Sequence, residues 1–152
     1  MEKDKMVLVR NSRFEELVKF SNINKQSHIG NHLSIKSLEK HQQEFENRNS
    51  LFLSITVPSG KLAGYIILVQ ENSVNTVQLK RILVDERYLG IGQKAIIATE
   101  KYCITELETK RIWLDVFIDN DRAVHVYKKL GYKAFKQSVE DSREVIFYEK
   151  NI

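Results

Sequence analysis

In 152 residues the chain combines 42% hydrophobic and 29% charged side chains with few Pro and Gly, which excludes a disordered or collagen-like polymer and fits one globular domain, residues 1–152. A lone cysteine, Cys103, excludes an internal disulfide and a multi-cysteine metal site and suits a reducing, cytoplasmic setting. The net charge of +4 is dispersed, so it welcomes an acidic ligand but argues only weakly for nucleic acid. No apolar run is long enough to span a bilayer, and Met1–Lys5 does not resemble a signal peptide.

In chain order, Met6–Arg10 reads as a first strand, and Ser12-Arg13-Phe14-Glu15 has the pattern of a capping box. Phe14, Leu17 and Val18 supply an apolar stripe to the helix that follows. Ser21–Leu33 is polar, contains Gly30, and reads as a loop or broken helix. Ser34–Arg48 is predicted as a second helix with Ile35, Leu38 and Phe45 inward. Ser50–Val57 and Leu62–Gln70 form a hairpin about the turn signal Pro58-Ser59-Gly60, and a third run, Thr76–Val84, follows the polar connection Glu71–Asn75.

Ile91–Leu107 then reads as a helix with Ala95, Ala98, Tyr102 and Cys103 near one face. Arg111–Phe117 is a strand with Ile112, Leu114 and Val116 on one side. Asn120–Leu130 is a short helix stopped by Gly131, and Tyr132–Lys136 and Arg143–Lys150 close the domain as strands. This mixed order predicts an α+β domain built on a mixed sheet.

The stretch from Leu79 to Ala95 carries chemistry. A strand runs into a turn containing Gly90 and Gly92, and a helix begins inside that turn. Helix N-termini offer unpaired N–H groups and a positive dipole end, so such a turn can close on a pyrophosphate, with Arg87 and Lys94 adding charge at its rim. Alone, the two glycines are equally a tight turn into a helix. A Gly-x-Gly-x-x-Gly pattern and a Gly-Lys-Ser/Thr loop are both missing, which removes the dinucleotide and nucleotide-hydrolysis readings.

The pattern Arg87-x-x-Gly90-x-Gly92 resembles the acetyl-coenzyme A signature of the GNAT superfamily of N-acetyltransferases. Asn120-Asp121-Arg122-Ala123-Val124-His125-Val126-Tyr127, continuing to Gly131-Tyr132, is similar to that family's second conserved segment. Trp113-Leu114-Asp115-Val116 fits its fifth strand, and the likeness covers roughly residues 76 to 136. The resemblance implies a mostly antiparallel sheet of six to seven strands whose fourth and fifth strands splay apart. It implies that acetyl-CoA lies in that V as co-substrate, with pantetheine along Leu83 and Val84 and pyrophosphate on the amides of Leu89, Gly90, Ile91, Gly92, Gln93 and Lys94. Asn120 and Ala123 would line the pantetheine arm, and Lys129 would approach the cofactor. An isologous dimer is common among such domains.

For the reaction, the resemblance implies direct attack of a primary amine on the thioester, with Tyr127 as acid toward the departing sulfur. On helical spacing alone, Tyr127 is equally a core residue sharing a face with Ala123 and Leu130. The family's usual acidic residue on the fourth strand is missing here, and Gln78 stands near its place. Asp115, twelve residues before Tyr127, is the candidate base; a structural aspartate and a water relay are the alternatives. His28, His32, His41 and His125 do not form a metal-ligand spacing with Cys103, so no metal is expected. A small amine, a polyamine, an amino-sugar or a protein N-terminus all qualify as acceptor. A non-catalytic acyl-CoA-binding module and a toxin-type acetyltransferase acting on charged transfer RNA are the competing functions.

Overall fold

The computed structural model describes residues 6–30, 33–71 and 75–152. Its elements are β1 (Leu8–Asn11), α1 (Leu17–Asn24), α2 (Leu38–Phe45), β2 (Ser50–Thr56), β3 (Leu62–Gln70), β4 (Thr76–Val84), α3 (Gly92–Leu107), β5 (Arg111–Phe117), α4 (Asp121–Lys129), β6 (Lys133–Glu140) and β7 (Arg143–Asn151). The seven strands form one sheet in the order β1-β2-β3-β4-β5-β7-β6, antiparallel throughout except for the parallel pair β4–β5. This is the mixed sheet expected from the element order.

The β4–β5 pair fixes the site. It is hydrogen-bonded only at Thr76–Arg111, Val77–Ile112 and Gln78–Trp113. Beyond Gln78, β4 continues to Val84 paired only with β3, and beyond Trp113, β5 continues to Phe117 paired only with β7. The sheet therefore opens into a V with one unpaired edge on each side.

A bulge in β4 decides what faces that V. The register steps from Ile67–Arg81 to Leu68–Leu79, leaving Lys80 as an extra residue. Alternation along a strand reverses at such an insertion. Val77 and Leu79 accordingly join the core under α3 and α4, whereas Leu83 joins the separate core under α1 and α2, with Leu17, Phe20, Ile23 and Tyr65. Close approach of β3 and β4 at the mouth of the V requires Gly64, where a Cβ would stand 2.2 Å from the Leu83 carbonyl oxygen.

Helix α1 differs from the expected start. Glu16, not Glu15, reaches back to the chain, accepting from the Arg13 N–H (2.9 Å), from Ser54 Oγ (3.0 Å) and from Arg10 in a two-pronged ion pair, while Ser12 bonds Ser54. The Arg10 hydrogen bonds pull the Glu16 carboxyl down to about 2. This shifts the buried stripe to Leu17, Phe20 and Ile23, leaving Phe14 and Val18 half exposed. The second helix is shorter than predicted. Ser37 caps it by accepting from the Lys40 N–H, which leaves Ile35 before the helix and 75% exposed. At the other end β6 runs on to Glu140, where Asp141 and Ser142, both at positive φ, turn directly into β7. His32, Met1–Lys5 and residues 72–74 lie outside the described residues.

Candidate active site

Two cavities meet inside the V. One, of about 300 Å³, is lined by Ile82, Val84, Gly90, Gly92, Gln93, Ile96, Asn120, Arg122, Ala123, Val126 and Tyr127. The other, of about 180 Å³, lies between β4, β5 and the α1–α2 connection and includes His28, Ile29, Lys80, Arg81, Asp115 and Val116. Ile82, Asn120, Ala123 and Tyr127 belong to both, so they stand at the joint.

The larger cavity combines a backbone turn with aliphatic side chains, with Gln93, Asn120, Arg122 and Tyr127 as its polar groups. Gly90 has φ +102°, a left-handed conformation that costs an L side chain strain, and open space surrounds the Cβ positions of both Gly90 and Gly92. No side chain caps the N-terminus of α3, and its first turn holds no acid. The first helical amides therefore point into a cleft that the glycines leave clear, which fits the pyrophosphate of coenzyme A. On the opposite wall, Asn120 caps α4 by accepting from the Ala123 N–H at 3.3 Å, so its amide NH₂ is what remains to meet a ligand.

Tyr127 is 7% exposed and packs edge-to-face on Tyr132 at 5.6 Å. Burial, and secondarily the charge of Asp115, pushes its hydroxyl above the ordinary phenol range, so it holds its proton at neutral pH. Asp115 lies on the wall facing β4, with an open rim, but surrounding protein raises its carboxyl above the ordinary carboxylate range, helped by Glu140. The two residues chosen from sequence as acid and base thus border one cavity.

Other expected site residues are placed differently. The Leu83 side chain lies in the α1–α2 core, leaving only its backbone near the V. Arg87 is turned toward Asp85, donating from Nε (3.1 Å) and Nη2 (3.0 Å), and borders a separate depression with Arg10, Arg13 and Tyr88. Lys129 is exposed and outside both cavities. Leu89, Ile91 and Lys94 belong to the turn without lining the cleft, and Ile91 is buried in the core beneath it. Gln78 lines neither cavity.

Three polar residues of the smaller cavity were not legible in sequence. His28 donates from Nε2 to the Val84 carbonyl at 2.6 Å, since a carbonyl can only accept, and so pins the α1–α2 connection to β4. Lys80 and Arg81 both turn toward α1 and α2 because of the bulge. Their signal was two adjacent cations in a mostly apolar strand, which alternation alone would have put on opposite faces. Among the described residues, no group of three His, Cys, Asp or Glu side chains is placed to hold a metal ion.

The fold and the V-shaped site together define an acyltransferase architecture. Residues 17–132 match the model of the acetyltransferase (GNAT) family, and the chain belongs to that family. It is 32% identical to the spermine/spermidine N(1)-acetyltransferase of Bacillus subtilis over 42% of this chain and 43% of that protein. The spermidine N(1)-acetyltransferase of Escherichia coli is also 32% identical, over 48% and 40%. The chain therefore spans less than half the length of these curated relatives. An N-alpha-acetyltransferase of Sulfurisphaera tokodaii is 27% identical over 88% of this chain and 84% of that one. Among solved structures, the spermidine N-acetyltransferase of Vibrio cholerae in complex with CoA and spermine superposes with a TM-score of 0.83 at 18% identity, covering 96% of this chain and 95% of that one.

Proposed function

We propose that this protein is an acetyl-CoA-dependent N-acetyltransferase that acetylates a primary amine. The supporting observation is the joint between the cavities: Tyr127 borders both the cleft that fits coenzyme A and the compartment that holds Asp115. Acetyl-CoA supplies the activated acetyl group. A free alkylamine, with a pKa of about 10.4, is almost wholly protonated at neutral pH and cannot attack until it loses a proton. Asp115 takes that proton; its raised value makes it a stronger base than an ordinary carboxylate.

The amine nitrogen then bonds to the acetyl carbon and the carbon–sulfur bond breaks. Tyr127 donates a hydrogen bond to sulfur as charge gathers there. A phenol held above its ordinary value is a reluctant acid toward a thiolate, so this hydrogen bond, strengthening as the bond breaks, carries its main contribution. Asn120 and Ala123, at the start of α4, hold the thioester end between the two compartments.

Mass spectrometry of a panel of amines incubated with acetyl-CoA tests this reading. A gain of one acetyl group on nitrogen, matched by release of free thiol, is expected. Cofactor binding without product from any amine would overturn it in favour of a binding module.

A further inference from the structure

The smaller cavity has a charge asymmetry that polyamine acceptors do not match. Arg81 is 8% exposed, yet its partners are neutral: Asn24 Oδ1 (3.2 Å), the Ser34 carbonyl (2.9 Å) and Ser34 Oγ (3.0 Å), with the Tyr65 hydroxyl also within its electrostatic reach. Buried charges are normally paired with an opposite charge, and among the described residues no carboxylate bonds to this one. Five N–H groups on a guanidinium leave donors beyond these contacts.

Beside it, Lys80 donates to Glu44 Oε2 at 2.7 Å, and Lys36 pairs with the other oxygen of the same carboxylate. Lys80 and Lys36 thus share one carboxylate while Arg81 bonds none, a net of two positive charges along β4 and the α1–α2 connection. The negative group faces this side from β5. Gln78–Trp113 is the last pair before the strands part, and Lys80 and Asp115 lie beyond it on their two strands, bordering the same cavity.

We propose that Lys80 and Arg81 form an anion subsite, and that the acceptor is a small primary amine bearing a carboxylate or phosphate. This rests on the acetyltransferase reading and narrows its acceptor. The amine would lie toward Asp115 and Tyr127, and the anionic group toward β4. Lys80, with 42% of its side chain exposed, makes the first contact, and Arg81 supplies fixed charge behind it. A polyamine would bring like charge against the same wall. The β4 bulge creates the subsite, since without the extra residue Arg81 would point into the core under α3 and α4.

Matched pairs test it with acetyl-CoA and the full chain: lysine against cadaverine, β-alanine against ethylamine, and O-phosphoethanolamine against ethanolamine, with spermidine alongside. The first two pairs probe carboxylate and the third phosphate. The anionic member of at least one pair is expected to show kcat/KM at least tenfold higher, as a charge-assisted contact implies. Lys80→Gln, at a partly exposed position where Lys36 still pairs with Glu44, should cut that ratio about tenfold with the fold checked by circular dichroism, and Lys80→Glu should invert it. Equal or lower kcat/KM for every anionic member, or spermidine as the best acceptor, overturns the subsite while leaving the acetyltransferase reading intact. Should no amine be acetylated, that reading falls, and calorimetry on the CoA-loaded protein judges the subsite alone. Binding of O-phosphoethanolamine that weakens about tenfold in Lys80→Gln supports it, and no detectable binding refutes it.

Discussion

The two cavities that meet at Tyr127 are made of different materials. The larger centres on backbone, with helix amides and two glycines at its mouth and mainly aliphatic side chains of β4, α3 and α4 around it, Gln93, Asn120, Arg122 and Tyr127 being its polar side chains. The smaller is side chain: His28 from the α1–α2 connection, Lys80 and Arg81 at a bulge, and Asp115 across the gap. A compartment built from backbone presents the same donors whatever the surrounding sequence, which suits a ligand shared across a family. One built from side chains can be rewritten residue by residue, which suits the partner that varies.

Substitutions on either side of the joint should separate these roles. The largest effect is expected from Gly90→Arg, which fills the backbone cleft at a residue with φ +102°: affinity for coenzyme A should fall at least a thousandfold by calorimetry. Left-handed strain should also cost about 1–2 kcal/mol of stability, with the domain still folded by circular dichroism. Retained tight binding would mean that the cradle lies elsewhere.

Tyr127→Phe acts at the joint. Turnover should drop about 10²–10³-fold while the coenzyme A dissociation constant changes less than threefold, because the ring and its packing survive. An unaltered rate would remove the hydroxyl from the chemistry. Asp115→Asn should lower kcat about 10–10²-fold and change the pH–rate profile. Asp115 must be ionised to accept a proton, so the wild-type rate falls as pH drops through its raised value, and the asparagine variant loses that acid limb. An identical profile would make Asp115 structural.

Glu16→Gln should change neither cavity. Its carboxyl is depressed from an ordinary 4.5 to about 2, so the stabilisation is complete above about pH 4.5 and is lost as pH falls toward 2. The variant should be less stable by about 3 kcal/mol at neutral pH in urea melts, and the difference should vanish at the acid end. A loss of activity in the still-folded variant would tie α1 to the site more closely than its contacts show.

The same contrast decides what could be read from sequence. The bounds of β3, β4 and β5 follow from apolar runs and turn residues and match residue for residue. The Gly90–Gly92 turn was legible as a local feature, a turn feeding a helix, whereas Asn120 and Tyr127 were picked out only by the resemblance of their segment to the family pattern, since helical spacing alone made Tyr127 a core residue. Asp115 was picked out by its twelve-residue spacing to Tyr127, which rests on the same resemblance, and alternation along a strand without irregularity gave its face. Lys80 and Arg81 were not, because one inserted residue reverses the phase of β4 and only the pairing with β3 reveals it. His28 was missed for a different reason: its partner, the Val84 carbonyl, is 56 residues away and carries no side-chain signal. Phe14 and Val18 were expected inside because apolar spacing was read from Ser12, whereas the contacts of Glu16 set the rotation of α1.

The three residue pairs that join β4 to β5 have a mechanical consequence. Among the described residues they are the only strand-to-strand pairs between two half-sheets, one of four strands and one of three, extended by the Lys110 and Arg111 amides donating to the Asn75 carbonyl. A load applied across the domain would concentrate on Thr76, Val77 and Gln78 and their partners rather than spread along a full-length ladder. Slow opening of the sheet should begin there, and amide exchange should report it, with Val77 and Ile112 losing protection before the buried centre of β3 at Ile66 and Ile67.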